Sequence, residues 1–154
     1  MERFGMLAVS VRQPWAWAIA RGHQAVENRD WDSRFRGALA IHASLRVDLD
    51  SSESPAIRAA HWDPDDPAAA IGGIVAVVSL SGVCTAAMPQ PALGTDEACA
   101  CGAWAKPGRY HWQLRDPRPL SQPVFAVSET DDRGLWELPS PVAAEVARLL
   151  AVPA

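Results

Sequence analysis

From Met6 onward the apolar and polar positions alternate, with Leu7, Val9 and Val11 on one side and Ala8 and Ser10 on the other. A period of two predicts a half-buried strand, and the same parity carries Arg12 to the side of Ser10. Pro14 opens a short helix in which Trp15, Ala18 and Ile19 fall at i, i+3 and i+4, and Gly22 is placed to end it. On that spacing Trp15 belongs to the core, while Trp17 falls off the apolar face. His23 to Asn28 reads as a second strand with Val26 inward and Glu27 outward, followed by a polar loop over 29–36 that embeds Trp31 and Phe35. Gly37 to Ala43 reads as a third, with Leu39 and Ile41 on one face and Ala38, Ala40 and His42 on the other. Two alanines beside a histidine leave room there for a packed element or a ligand.

Residues 44–70 turn acidic and rich in Pro and Ser, the pattern of a surface excursion, with a helix expected over Pro55 to His61 capped by Ser54. Ile71 to Leu80 carries the strongest strand signal in the chain, dense in β-branched residues, and should be central. Residues 85–109 show no usable period, and so long an irregular connection reads as a lid or binding loop. Tyr110 to Leu114, Val124 to Val127 and Gly134 to Leu138 read as three short strands. Ser140-Pro141 then starts a terminal helix with Val142, Val146, Leu149 and Leu150 as its apolar stripe. About six short strands and two or three short helices without βαβ periodicity predict an α+β fold, a small mixed β-barrel flanked by short helices. The length, 154 residues, suits one domain spanning 1–154, with 85–109 as an irregular insertion.

Composition narrows the setting. The longest apolar run is too short to cross a bilayer and the N-terminus has no leader-like stretch, so a cytoplasmic protein with no membrane role is expected. Three cysteines, an odd number, suit a reducing compartment. Cys99 and Cys101 form a lone CxC without the paired spacing of a zinc site, so no metal ligands are assigned. Net charge is −4, but residues 1–46 hold seven Arg against four acids while the remainder holds seven basic residues against fourteen acids. That asymmetry concentrates positive potential on one region and fits a selective pocket better than a broad duplex-binding surface.

The positive region is the chemically dense one. Ser10 to His42 sets Arg12, Arg29, Arg34 and Arg36 among tryptophans, with Glu27 its single glutamate. Guanidinium groups hold phosphate oxygens, flat rings stack on bases, and a carboxylate accepts from an exocyclic amino group or a hydroxyl. No phosphate-cradling glycine loop, GxSxG or HExxH is present. Ser10 and His42 have no spacing that marks them as a nucleophilic pair, and a histidine at a strand end is more often a structural hydrogen-bonder.

The ordered set Val9-Ser10-Val11-Arg12-Gln13-Pro14-Trp15-Ala16, Gly22, Val26-Glu27-Asn28-Arg29, Trp31, Arg34, Arg36-Gly37 and Ile41-His42-Ala43 resembles the ASCH domain family of the PUA-like superfamily. Gly72 to Ala76, Tyr110 to Trp112 and Gly134 to Trp136 resemble its downstream strands. The resemblance implies a small barrel with a cleft beside the first helix, used to bind RNA, nucleotides or modified nucleosides. Some members resemble ribonucleases, and one branch deacylates cytidine derivatives. Carried over by position, Arg12, Glu27, Arg29 and Arg36 are polar cleft residues, with Trp31 and His42 lining the cleft. Gln24 and Ala25 stand where the family has Lys and Thr, which removes the groups implicated in the deacylating branch.

Three readings stay open. In the first, a binding module uses Arg12, Glu27, Arg29, Trp31, Arg34, Arg36 and His42, with Trp112 as a second stacking face, for RNA, a nucleotide or a modified nucleoside. In the second, a hydrolase uses Glu27 as base or metal ligand, with a divalent metal as cofactor if it is a ribonuclease. In the third, the cleft charges only tether the 29–36 loop to the fold.

Overall fold

The computed structural model describes residues 5–48, 50–85, 101–102, 104–128 and 134–151. Most of the irregular 85–109 segment, Cys99 included, lies outside the described residues. The elements are β1 Leu7–Gln13, α1 Trp15–Ala20, β2 Val26–Arg29, β3 Gly37–Val47, α2 Pro55–Ala59, β4 Gly73–Cys84, β5 Tyr110–Phe125, β6 Trp136–Glu137 and α3 Ser140–Ala151.

The strands form one six-stranded mixed sheet in the order β2-β5-β4-β3-β1-β6, antiparallel except for the β1–β3 pair. The expected closed barrel is not seen: the ladder has two ends, β2 and β6, and no pairing joins them among the described residues. A crossover of α1, β2 and the 30–36 loop makes β1 and β3 parallel. Both strands therefore end at the same edge of the sheet, where Arg12 and Arg46 emerge.

Strand alternation divides the core into two layers. Val9, Val11, Leu39, Ile41, Val78 and Leu80 face α1 and α2, whereas Ala8, Ala40, Ile74 and Val77 face α3. The terminal helix forms where its apolar stripe predicts, with Val146 fully buried against Leu120, Trp136 and Leu138.

Helix α1 begins one residue later than expected, because Pro14 occupies the N-cap position rather than the first turn. Gln13 Oε1 accepts from the Trp17 N–H (2.9 Å) and so satisfies one donor at that end. At the other end Gly22, at φ +79°, donates to the Ile19 carbonyl, and the His23 N–H donates to that of Ala18. That pair of bonds closes the helix in six residues.

Two expectations need correction. Residues 44–70 are not a peripheral excursion: Ile57 and Ala68 are buried, and Gln13 Nε2 donates to the carbonyls of Ala68 and Ala70. Asp66 accepts from Trp17 Nε1 and pairs with Arg21, so the segment roofs α1. Ser54 occupies the N-cap position of α2 but makes no side-chain cap. The two strands expected at Tyr110–Leu114 and Val124–Val127 are one strand, β5, running through Pro117, Pro119 and Pro123. The prolines fit because β2 pairs with Tyr110–Gln113, and beyond that point no ladder among the described residues uses the second edge of β5. Asp116, at φ +51°, stands where the β4–β5 register shifts.

Candidate functional site

A cleft of ≈ 1090 Å³ opens where β1 and β3 end together. Its walls come from Ser10–Arg12, the first residue of α1, β2 with the loop after it, Arg46 and Asp48, and the segment that precedes β5. Arg12, Arg29, Arg46, Lys106 and Arg109 supply five cations against Glu27, Asp30 and Asp48, and Trp15 and Trp31 supply the rings.

Glu27 and Arg29 sit two residues apart on β2 and so share a face. Glu27 Oε1 lies 3.6 Å from Arg29 Nε, and each side chain retains 13% of its exposure. Arg29 also donates to the Ser10 carbonyl, which ties β2 to β1 across the cleft floor. The other carboxyl oxygen, Glu27 Oε2, is buried and accepts no hydrogen bond. Burial pushes the Glu27 carboxyl above its ordinary value, against the opposing pull of Arg29, Lys106 and the backbone of Asn28. Asp48 is held below its ordinary value, chiefly by hydrogen bonding from Ser51, with smaller contributions from Trp15 and Arg12.

Trp112 is fully buried beneath this floor. Its ring meets Trp31 edge-on at 4.7 Å, its Nε1 donates to the Trp31 carbonyl (3.2 Å), and the Arg29 guanidinium lies 6.0 Å from its centroid. It is therefore the support for Trp31 and Arg29, not a second stacking face.

Asn28 and His111 hold the opposite wall. Asn28 Nδ2 donates to the Trp104 carbonyl (2.9 Å) and Asn28 Oδ1 accepts from the Lys106 N–H (2.8 Å). His111 contacts the Lys106 carbonyl at 2.6 Å. So anchored, Lys106 Nζ stands 5.7 Å from the Trp15 ring, and Trp104 meets Trp15 edge-on. Asn28→Ala is expected to detach this wall and cost about 1–3 kcal/mol for the paired bonds, read as a lowered melting temperature and faster amide exchange over 104–106.

Of the seven residues marked from the sequence, Arg12, Glu27, Arg29 and Trp31 line the cleft. Arg34 is exposed outside it, and Arg36 turns back onto the carbonyls of Ser33 and Phe35. His42 stands on the opposite face of the sheet, 3% exposed. There Trp136 Nε1 donates to Ser10 Oγ (3.2 Å), Ser10 Oγ meets His42 Nδ1 (2.9 Å), and His42 Nε2 meets the Ala126 carbonyl (2.7 Å). A carbonyl only accepts, so Nε2 carries the proton and the Ser10 hydroxyl donates to Nδ1. Ser10 and His42 are thus brought together as a buried structural relay behind Trp136. Sequence reasoning missed Trp15, Asn28, Arg46, Lys106 and Arg109. Only Lys106-Pro-Gly-Arg109, two cations framing a turn, carried a signal that could have been used.

A six-stranded mixed sheet flanked by short helices is the architecture of a small α+β domain. The ASCH domain family matches residues 9–124, three quarters of the chain, and the chain belongs to that family, which is generally linked to RNA binding. Among solved structures, a point mutant of an ASCH protein from Zymomonas mobilis shares the fold at TM-score 0.55 and 13% identity, over 94% of this chain and 97% of that one. No curated protein matches. No helix among the described residues is long and apolar enough to cross a membrane.

Proposed function

We propose that the cleft binds a nucleotide, a modified nucleoside or a short single-stranded stretch of RNA. The observation that carries this reading is the meeting, in one cleft, of five cations, two half-buried tryptophans and a carboxylate with an oxygen that accepts no hydrogen bond. Arg12, Arg46, Lys106 and Arg109 would hold phosphate oxygens. Trp31 would stack on a base, and Glu27 would accept from an amino group or hydroxyl. Arg34, Arg36 and His42 have no direct part in this arrangement.

Trp31→Ala tests it. Stacking on one ring contributes roughly 1–3 kcal/mol, so affinity for nucleoside monophosphates or an RNA octamer should fall by about 5- to 150-fold. The fall would be read by fluorescence titration at fixed salt, and unchanged affinity would remove the main support for the reading.

A second reading, hydrolysis, is favoured by one feature: a carboxyl group raised by burial with an unengaged oxygen is what a general base needs. The deacylating variant gains nothing from Gln24, which donates from Nε2 to the Val26 carbonyl at 2.6 Å. End-labelled structured RNA incubated with wild type and Glu27→Gln, with and without Mg²⁺ or Mn²⁺, separates the readings. Cleavage by wild type alone establishes the enzyme, and intact RNA in every lane removes the ribonuclease.

A further inference from the structure

We propose that Cys84, Cys101 and His111 form a zinc site that fastens Cys101 and the 104–106 segment to the sheet and so sets the cleft wall. The three ligand atoms, two Sγ and one imidazole nitrogen, lie within 4.8 Å of one another. They come from three places in the chain: the end of β4, the return segment and the start of β5. Cys84 and His111 are direct cross-strand partners in the β4–β5 ladder, so their side chains project from the same face of the sheet. Cys101 approaches from outside the ladder. The lone CxC of the sequence lacked zinc spacing because the other donors arrive through strand register.

The chemistry of the set is specific. Two sulfurs and an imidazole suit zinc over calcium or magnesium, which take oxygen ligands. Zinc bonds of about 2.3 Å to sulfur and 2.0–2.1 Å to nitrogen require tetrahedral edges of roughly 3.5–3.8 Å. Since no pair is more than 4.8 Å apart, the triad needs a contraction of at most about 1.3 Å, within the reach of half-buried cysteines at a strand end and in a loop. Each cysteine binds as thiolate and releases its proton to solvent. The outer shell is already in place: His111 Nε2 lies 2.6 Å from the Lys106 carbonyl. That acceptor fixes the ring proton on Nε2 and directs the Nδ1 lone pair to the metal, an arrangement typical of zinc-bound histidine. Three protein donors leave the fourth tetrahedral position for water or a further donor. Since the same histidine holds the carbonyl of Lys106, metal occupancy would order Trp104 and Lys106 on their side of the cleft. Metal binding itself does not depend on what the cleft binds.

Reduced, chelator-stripped protein titrated with Co²⁺ provides the test. One equivalent should produce thiolate-to-cobalt charge transfer and the visible bands of tetrahedral cobalt, both lost on adding Zn²⁺, and Zn²⁺ should raise the melting temperature. Cys84→Ser and Cys101→Ser, verified as folded by circular dichroism, should each abolish the charge transfer and weaken Zn²⁺ at least tenfold. The proposal is overturned if wild type gives no charge-transfer band, if the band survives in both variants, or if the thiols form an 84–101 disulfide and the reduced protein takes up no metal.

Discussion

Glu27→Gln is expected to raise the melting temperature at neutral pH while weakening the cleft's ligand by about tenfold. The first half follows from linkage. Burial raises the Glu27 carboxyl above its value in the unfolded chain, so the folded state holds the proton to higher pH than the unfolded state does. Stability then falls as pH rises from the unfolded value to the folded one, and above the folded value the penalty is constant. Glutamine has no proton to lose. The difference in melting temperature should vanish below about pH 4, where Glu27 is protonated in both the folded and unfolded states, and grow with rising pH until the folded carboxyl ionises. Each kcal/mol relieved shows as about 2–4 °C in a chain of this size. The second half follows because a charged acceptor makes a hydrogen bond roughly twice as strong as a neutral one. Scanning calorimetry from pH 4 to 8, paired with ligand titration, checks both. A melting temperature lowered at every pH would instead mean that Glu27 holds the 29–36 loop in place, and the purely structural reading would stand.

Trp112→Ala should be the more damaging change to the fold. The indole is fully buried, and truncating it leaves a cavity beneath Trp31 and Arg29. Such truncations cost about 3–5 kcal/mol, or roughly 6–20 °C here. Trp112→Phe separates support from bulk: it keeps a ring in the core but loses the N–H that donates to the Trp31 carbonyl. A loss of about 1–3 kcal/mol is expected, together with weaker nucleotide binding, since Trp31 loses its buttress. Binding at wild-type strength in Trp112→Phe would show that Trp31 is held by other contacts.

These two residues mark how far the sequence could be read. Glu27 and Arg29 were legible because a strand's period of two puts them on one face wherever the strand goes. Trp112 was not, because its role depends on β2 pairing with β5 in a register that lines up Glu27 with Trp112. Trp15 packs half-buried against the core as its spacing predicts, but its place at the cleft was missed for a different reason. The helix WAWAIA has no polar face, so spacing alone cannot orient it, and the sheet buries Trp17 while leaving Trp15 at the cleft. His42 had the right parity and the wrong neighbour. Alternation places it with Ala38 and Ala40, but only the topology brings Trp136 over that face. Lys106 reaches the cleft through hydrogen bonds that Trp104 and Lys106 make to Asn28, nearly eighty positions away, a separation that no local pattern encodes. The open sheet has a similar origin, since strand number was readable from pattern and closure was not.

The relay behind Trp136 bears on where this domain can be cut. The family match stops at residue 124, yet Ser10 and His42, both inside it, complete their hydrogen bonds with Trp136 and Ala126, both beyond it. The first strand is also edged by Trp136–Glu137, and the Leu138 N–H donates to the Met6 carbonyl. A chain trimmed to residues 9–124 would retain the cleft residues and lose the groups that seal the sheet's other face. A unit cut out by experiment therefore has to include Met6 and run past Leu138, and α3 belongs with it because Val146 packs on Trp136 and Leu138.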